Sequence, residues 1–201
     1  NYCKYHFKNI FILTGYKSRE IISNFHKSYY NCISLNCLNE KKPMGTAGAL
    51  NILKKKNLND FILINGDTFL DVDLNKLIKS CSKDSLGSLA LVKNKSYKSN
   101  KKLSAMGLKH NKIVFQKFSK YMNGGVYFFK KEFFKFIQNK NISLEDEILP
   151  NLISEKKISG LITNNFFLDI GTPKNFKRAG NLLINNCSKP AAFLDRDGVI
   201  N

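Results

Sequence analysis

The chain has 201 residues, of which 43% are hydrophobic and 24% charged, enough to bury one substantial core. No apolar run approaches the ~18 to 20 residues that a membrane helix requires, and the opening NYCKYHFKN lacks the h-region of a signal peptide, so a cytoplasmic protein without a membrane partner is expected. The formal net charge of +18 invites a nucleic-acid partner, but the arginines are only Arg19, Arg178 and Arg196. The lysines are scattered among Asn, Ile and Phe. That pattern predicts a solvated basic surface that attracts anionic substrates, with no specific nucleic-acid partner. Cys3, Cys32, Cys37, Cys81 and Cys187 form no CxxC pair and no zinc-ligand spacing with His6, His26 or His110, so reduced thiols are expected.

In chain order, NIFILTG (9 to 15) reads as a buried strand and SREIISNFHKSYY (18 to 30) as a helix with Ser18 at its N-cap. CISLNCL (32 to 38) is the next strand, followed by a glycine-bearing turn and a helix through ALNILKKK (49 to 56). Strand DFILINGD (60 to 67), helix DLNKLIKSCSK (73 to 83) and strand SLALV (88 to 92) follow. From Leu103 the strands shorten: LSAMGLKH, KIVFQKF and YMNGGVYFF are expected to extend the sheet in antiparallel or mixed fashion. Helices at 131 to 138 and 144 to 155, a strand around NNFFLDIG and a helix starting at Pro173 complete the pattern. Strands separated by helices predict an α/β fold, a Rossmann-like mixed, mainly parallel sheet flanked by helices. Ser188, Lys189 and Pro190 mark the only plausible boundary, between a domain over 1 to 187 and a segment over 191 to 201.

Open α/β sheets bind ligands beyond the carboxyl ends of their strands. Three such places carry suitable residues. In KKPMGTAGAL (41 to 50), Gly45, Thr46, Ala47 and Gly48 lie between strand and helix, where small residues admit a base or phosphate and helix N–H groups act as donors. A tight turn that merely needs glycines is the alternative. In ILINGDTFLDVDL (62 to 74) a hydrophobic strand ends on Gly66 and Asp67, a carboxylate that a cation would stabilise; Asp71 and Asp73 read as turn and helix-cap residues. FFLDIGTPKNFKRA (166 to 179) repeats the arrangement with Asp169, so two carboxylates at two strand ends are candidates for one divalent ion.

GTAGAL, NGD, NGGVYFF, SLEDEILP and FLDIGTPKNF, in this order and at these intervals, resemble the nucleotidyltransferases that make nucleotide sugars from sugar 1-phosphates. The resemblance covers about residues 5 to 185 and extends to the mannose- and heptose-1-phosphate guanylyltransferases, whose guanine-binding segment is similar to Glu40 followed by PMGTAGAL. It implies that a sugar 1-phosphate oxygen attacks the α-phosphorus of a nucleoside triphosphate, GTP above all, and that pyrophosphate leaves. It further implies Mg²⁺ held by Asp67 and Asp169, and base or ribose contacts from Glu40, Gly45, Thr46, Ala47, Gly48 and Gly66. Asn123, Gly124, Gly125 and Glu145 would form the sugar site, and Lys117 would meet a sugar phosphate. The family's Glu-Lys pair is here Gln116-Lys117. The family's glycine-rich, arginine-bearing front loop has no counterpart, which implies an N-terminally incomplete domain without turnover. A hexose 1-phosphate with guanylyl, thymidylyl or uridylyl transfer, or a non-catalytic nucleotide-sugar-binding module, remain as alternatives. Oligomeric state is not legible.

The closing AAFLDRDGVIN (191 to 201) resembles the first motif of haloacid dehalogenase-like phosphatases, notably the heptose-bisphosphate phosphatases. There Asp195 would be the nucleophile and Asp197 the general acid/base. A phosphatase that makes heptose 1-phosphate beside a transferase that consumes it favours heptose, D-glycero-D-manno-heptose 1-phosphate, over mannose as the sugar.

Overall fold

A computed structural model of the chain describes residues 7–30, 33–56, 58–93, 106–116 and 119–187. Lys117, the 188 to 190 boundary and the 191 to 201 segment with Asp195 and Asp197 lie outside the described residues.

The first unit is a three-stranded sheet with order β1-β3-β2. β1 (Asn9–Thr14) and β3 (Ile33–Asn39) pair in parallel, Asn9 opposite Ser34 and Thr14 opposite Asn39. Between them α1 (Ser18–Phe25) is shorter than its amphipathic pattern predicts. His26 adopts an extended conformation and the chain continues as β2 (Ser28–Tyr30), antiparallel to β3. The β-favouring Ser-Tyr-Tyr run gains a ladder partner there that a helix could not offer. Ser18 is not the cap either. Lys17 occupies that position in the left-handed region without a side-chain bond. α2 (Gly45–Gly48) and α3 (Asn51–Lys54) follow.

β4 (Phe61–Ile64) turns directly into β5 (Thr68–Leu70), and α4 (Leu74–Ser80) is capped by Asp73, whose Oδ1 accepts the Asn75 and Lys76 N–H groups at 2.9 and 3.2 Å. This is the cap that the sequence indicates. Then come β6 (Gly87–Lys93), the hairpin β7 (Met106–Lys109) and β8 (Lys112–Phe115), and the long β9 (Tyr121–Phe129). A 3₁₀ segment (Lys131–Phe136) and a π-helical turn (Leu144–Ile148) lead into α5 (Leu149–Ser154). β10 (Ile158–Ile162), β11 (Phe167–Asp169) and α6 (Pro173–Cys187) complete the described chain.

The central sheet has the order β4-β9-β6-β10-β8-β7. The class is the mixed α/β architecture expected. β4 and β6 run the same way, but β9 is inserted antiparallel between them, so β6–β10 is the parallel ladder of this sheet. β10, a strand the sequence pattern does not reveal, supplies it. Gly160 interrupts the β10 pattern because Leu108 and Ile113 fill the space a Cβ would take, at 2.5 and 2.9 Å.

Alternation along the middle strands divides the core. Leu89, Leu91, Tyr127 and Phe129 belong to one apolar cluster, and Ala90, Val92, Val126 and Phe128 to the other. Successive side chains of a strand point to opposite faces, so both faces of the sheet are covered. Phe129 stacks on Phe133 with ring centroids 3.8 Å apart, and Phe129→Ala would cost roughly 3–5 kcal/mol. β1 and β4 each stand at the edge of their sheets among the described residues and are only half-buried, not the buried strands their apolar runs predict.

Candidate functional site

β4 ends at Ile64, and the chain reverses through Asn65, Gly66, Asp67 and Thr68. The Thr68 N–H donates to the Asn65 carbonyl at 3.3 Å, closing the turn. Its entry is fixed by the Asn65 N–H, which donates to the Gly125 carbonyl at 2.9 Å. Asp67 therefore sits on an exposed turn, and the burial cost invoked to require a cation there is absent. The case for a cation rests on its neighbour.

β11 pairs antiparallel with β5, placing Asp169 opposite Thr68, and the Ile170 N–H donates to the Asp67 carbonyl at 2.9 Å. Asp169 Oδ1 accepts the Gly171 N–H at 2.7 Å. A Cβ built on Gly171 would stand 3.0 Å from Asp169 Oδ1 and 3.1 Å from Asp67 Oδ2, so both carboxylates border one small space. The two carboxylates expected to act together are together. Among the described residues no group of three or more His, Cys, Asp or Glu forms a metal cluster. Two carboxylates with the remaining positions left to water and substrate oxygens fit the way Mg²⁺ is held.

Because β9 runs antiparallel to β4, its early residues come to the carboxyl end of β4. Asn123 and Gly125 line a cleft of about 180 Å³ with Asn65, Asp67, Thr68 and Asp169. At Gly124 and Gly125 the β9 ladder with β6 slips: Leu89 pairs Tyr127, but Leu91 pairs Asn123. Gly125 has φ +70°, and a Cβ on Gly124 would meet the Ala90 carbonyl oxygen at 2.8 Å. This bulge turns Asn123 toward the cleft.

Glu145 lies at the start of the π-helical turn and gathers three elements. Its Oε2 accepts the Thr46 hydroxyl at 2.7 Å; its Oε1 accepts the Tyr127 hydroxyl at 3.4 Å and Asn65 Nδ2 at 3.5 Å. Asn123 Nδ2 donates to the Tyr127 hydroxyl at 2.6 Å, and Asn123 Oδ1 accepts the Gly125 N–H at 2.8 Å. Burial first, and the neighbouring Glu145 charge second, push the Tyr127 phenol far above its ordinary range, so it stays protonated. Glu145 is thus engaged on both oxygens, with Thr46 on one side and the Asn123 chain on the other.

The Gly-Thr-Ala-Gly segment departs from expectation. The Ala47 and Gly48 N–H groups donate to the Ile142 carbonyl at 3.1 and 3.3 Å, and Ala47 is fully buried. Those donors are spent on the protein, not offered to a phosphate. Gly45, at φ +70°, and Gly48 are required because Cβ atoms would stand 2.5 and 2.3 Å from the Ile142 and Lys140 carbonyl oxygens. The alternative of glycines needed by packing describes both. Thr46 keeps an exposed polar side chain at the site, and Glu40 shapes the loop by accepting the Met44 N–H at 2.9 Å on Oε2. Gly66 is the opposite case: no heavy atom lies within 4 Å of a Cβ placed there.

Asn65, Tyr127 and Gly171 were not singled out by sequence. Asn65 directly follows a strand, so the rule that picked out Asp67 could have found it. Tyr127 and Gly171 carry no local signal.

A ligand cleft beyond the strand ends of a mixed α/β sheet, bordered by paired carboxylates and amides, defines a protein suited to polar ligands. Residues 1–186 match the profile described as Nucleotidyl transferase, and the chain belongs to that family. A D-glycero-alpha-D-manno-heptose 1-phosphate guanylyltransferase of Aneurinibacillus thermoaerophilus is 30% identical over 178 residues, 85% of this chain and 76% of its own length. One of Campylobacter jejuni is 31% identical over 181 residues, covering 89% and 79%. Among solved structures, HddC from Yersinia pseudotuberculosis superposes with a TM-score of 0.69 at 27% identity over 87% of this chain and 78% of that one; HddC complexed with GMP-PN gives 0.66.

Proposed function

We propose that this protein transfers a nucleotidyl group from GTP to D-glycero-D-manno-heptose 1-phosphate. The convergence of Asp67 and Asp169 on one space beside the Asn123–Gly125 bulge carries the reading. In the reaction a phosphate oxygen of the sugar 1-phosphate forms a bond to the α-phosphorus of the triphosphate. The bond from that phosphorus to the oxygen bridging the β-phosphate breaks, and pyrophosphate leaves with its electron pair. Such a displacement depends on alignment and charge neutralisation more than on covalent chemistry by the protein. Asp67 and Asp169 would hold Mg²⁺, which supplies positive charge for the phosphate oxygens.

The residues divide by position. Thr46 and Glu40, with the open space over Gly66, form the nucleotide side. Asn123 and the backbone at Gly124 and Gly125 form the sugar side, with Glu145 between the two. Lys117 is proposed to contact a substrate phosphate. Guanine and heptose are favoured over other bases and sugars because the two heptose 1-phosphate guanylyltransferases above share 30% and 31% identity with this chain.

The test is pyrophosphate release by the purified full-length protein with Mg²⁺, using GTP, dTTP and UTP against heptose 1-phosphate and mannose 1-phosphate. The GTP and heptose 1-phosphate pair is expected to be the best. Preference for mannose 1-phosphate would move the reading to that sugar; tight nucleotide-sugar binding without turnover would replace it with a binding module.

A further inference from the structure

Resting on that transferase reading, we infer that Tyr127 is a positioning residue that orients Asn123 for the sugar, its own hydroxyl being directed by Glu145. The directions of the hydrogen bonds are fixed by chemistry. A carboxylate only accepts, so the Tyr127 hydroxyl spends its one proton on Glu145 Oε1 at 3.4 Å. The hydroxyl oxygen must then accept from Asn123, whose Nδ2 donates at 2.6 Å. That leaves Asn123 Oδ1 facing the Gly125 N–H at 2.8 Å. The carboxamide has a single orientation, with one Nδ2 hydrogen and one Oδ1 lone pair left for a ligand in the cleft that Asn123 lines.

Tyr127 can impose this orientation because it does not move. Its side chain is fully buried, its ring stacks on Phe129 at 12° and 5.7 Å between centroids, and it lies within the β9–β4 and β9–β6 ladders. On the far side, Glu145 Oε2 accepts from Thr46, whose Oγ1 in turn accepts the Leu144 N–H at 2.8 Å. One chain of directed bonds thus runs from each side of the cleft to Glu145. Tyr127 touches no substrate in this scheme. It acts through Asn123 and Glu145.

Tyr127→Phe keeps the ring and its packing and removes only the hydroxyl. In the active protein, KM for the sugar 1-phosphate is expected to rise about tenfold, the equivalent of ~1.4 kcal/mol, while KM for the nucleotide and kcat stay within about twofold. In an Asn123→Ala background the same change should add little, because its route is already cut. Independently of any variant, the Asn123 side-chain amide of the wild-type protein should show slowed hydrogen exchange by NMR. An unchanged sugar KM in active Y127F protein, a parallel rise in both KM values, or an Asn123 amide exchanging as fast as an exposed one would each overturn the inference while leaving the transferase reading standing. Full-length wild-type protein that transfers no nucleotide to any sugar 1-phosphate would overturn the reading itself, and the inference with it.

Discussion

Thr46 Oγ1 donates to Glu145 Oε2 at 2.7 Å although 99 positions separate them in the chain. The bond joins the Gly-Thr-Ala-Gly segment to the π-helical turn, and Thr46 Oγ1 also accepts the Leu144 N–H. Thr46→Val preserves the branched shape and deletes both interactions. A hydrogen bond to a charged group contributes about 1.5–3 kcal/mol, less where it is exposed as here, so a loss of about 1 kcal/mol is expected in urea unfolding. The nucleotide KM should rise as well, and Thr46→Ser should restore most of both. A valine variant with wild-type stability and KM would show that the bond organises nothing.

Gly171 leaves the carboxylates of Asp169 and Asp67 room at their common space, and a methyl group there would lie 3.0 and 3.1 Å from their respective oxygens. The neighbours are ends of side chains, so Gly171→Ala should fold. The carboxylates would be pushed from their shared position, and Mn²⁺ affinity measured by calorimetry with GTP present should fall at least about tenfold, or ~1.4 kcal/mol. Asp67→Asn and Asp169→Asn should each lower turnover about a hundredfold or more, since each would remove one charged ligand of the proposed Mg²⁺. Unchanged Mn²⁺ binding in all three variants would place the metal elsewhere.

Pairing of distant residues was the part of the site least legible in sequence. The residues after strands were legible, because the rule that ligands lie beyond strand ends needs only a strand and its exit, and Asp67 and Asp169 satisfy it. The roles of Gly45 and Gly48 were not, since a glycine demanded by a ligand and one demanded by the Ile142 and Lys140 carbonyls look the same in one dimension. The fold shows the same division. The short apolar runs of β6 and β9 identified both strands, but nothing local says that β9 inserts between β4 and β6. β10 stayed hidden because its glycine is required by Leu108 and Ile113, side chains from a distant hairpin.

Cys81 gives a pH prediction with a definite sign. Its thiol is half-buried, with Sγ 3.7 Å from the Ser82 carbonyl and 3.8 Å from that of Ser85. Burial pushes its pKa up, against the pull of the Lys130 and Lys112 charges. The folded protein therefore holds the thiol proton more tightly than the unfolded chain. The associated stability is fully present below the unfolded thiol value of about 8.5 and is lost as pH rises through the folded value. Urea midpoints should decline above about pH 8.5, and Cys81→Ala should flatten part of that decline. An identical slope in the variant would rule Cys81 out as its source.

Gly66 and Gly45 should respond oppositely to alanine. Gly45 combines φ +70° with a Cβ that would stand 2.5 Å from the Ile142 carbonyl oxygen, so Gly45→Ala meets both backbone strain of about 1–2 kcal/mol and a clash against fixed backbone. Loss of more than ~2 kcal/mol in urea unfolding is expected. At Gly66 the φ lies outside the left-handed region and no heavy atom stands within 4 Å of the added methyl. Gly66→Ala should leave stability unchanged or raise it by up to ~1 kcal/mol, because alanine restricts the unfolded chain. Its effect should fall on the substrates: under the proposed reading the open space over Gly66 takes the nucleotide, whose KM should rise severalfold. A fully active Gly66→Ala protein would show that the nucleotide keeps clear of this turn and binds closer to Thr46.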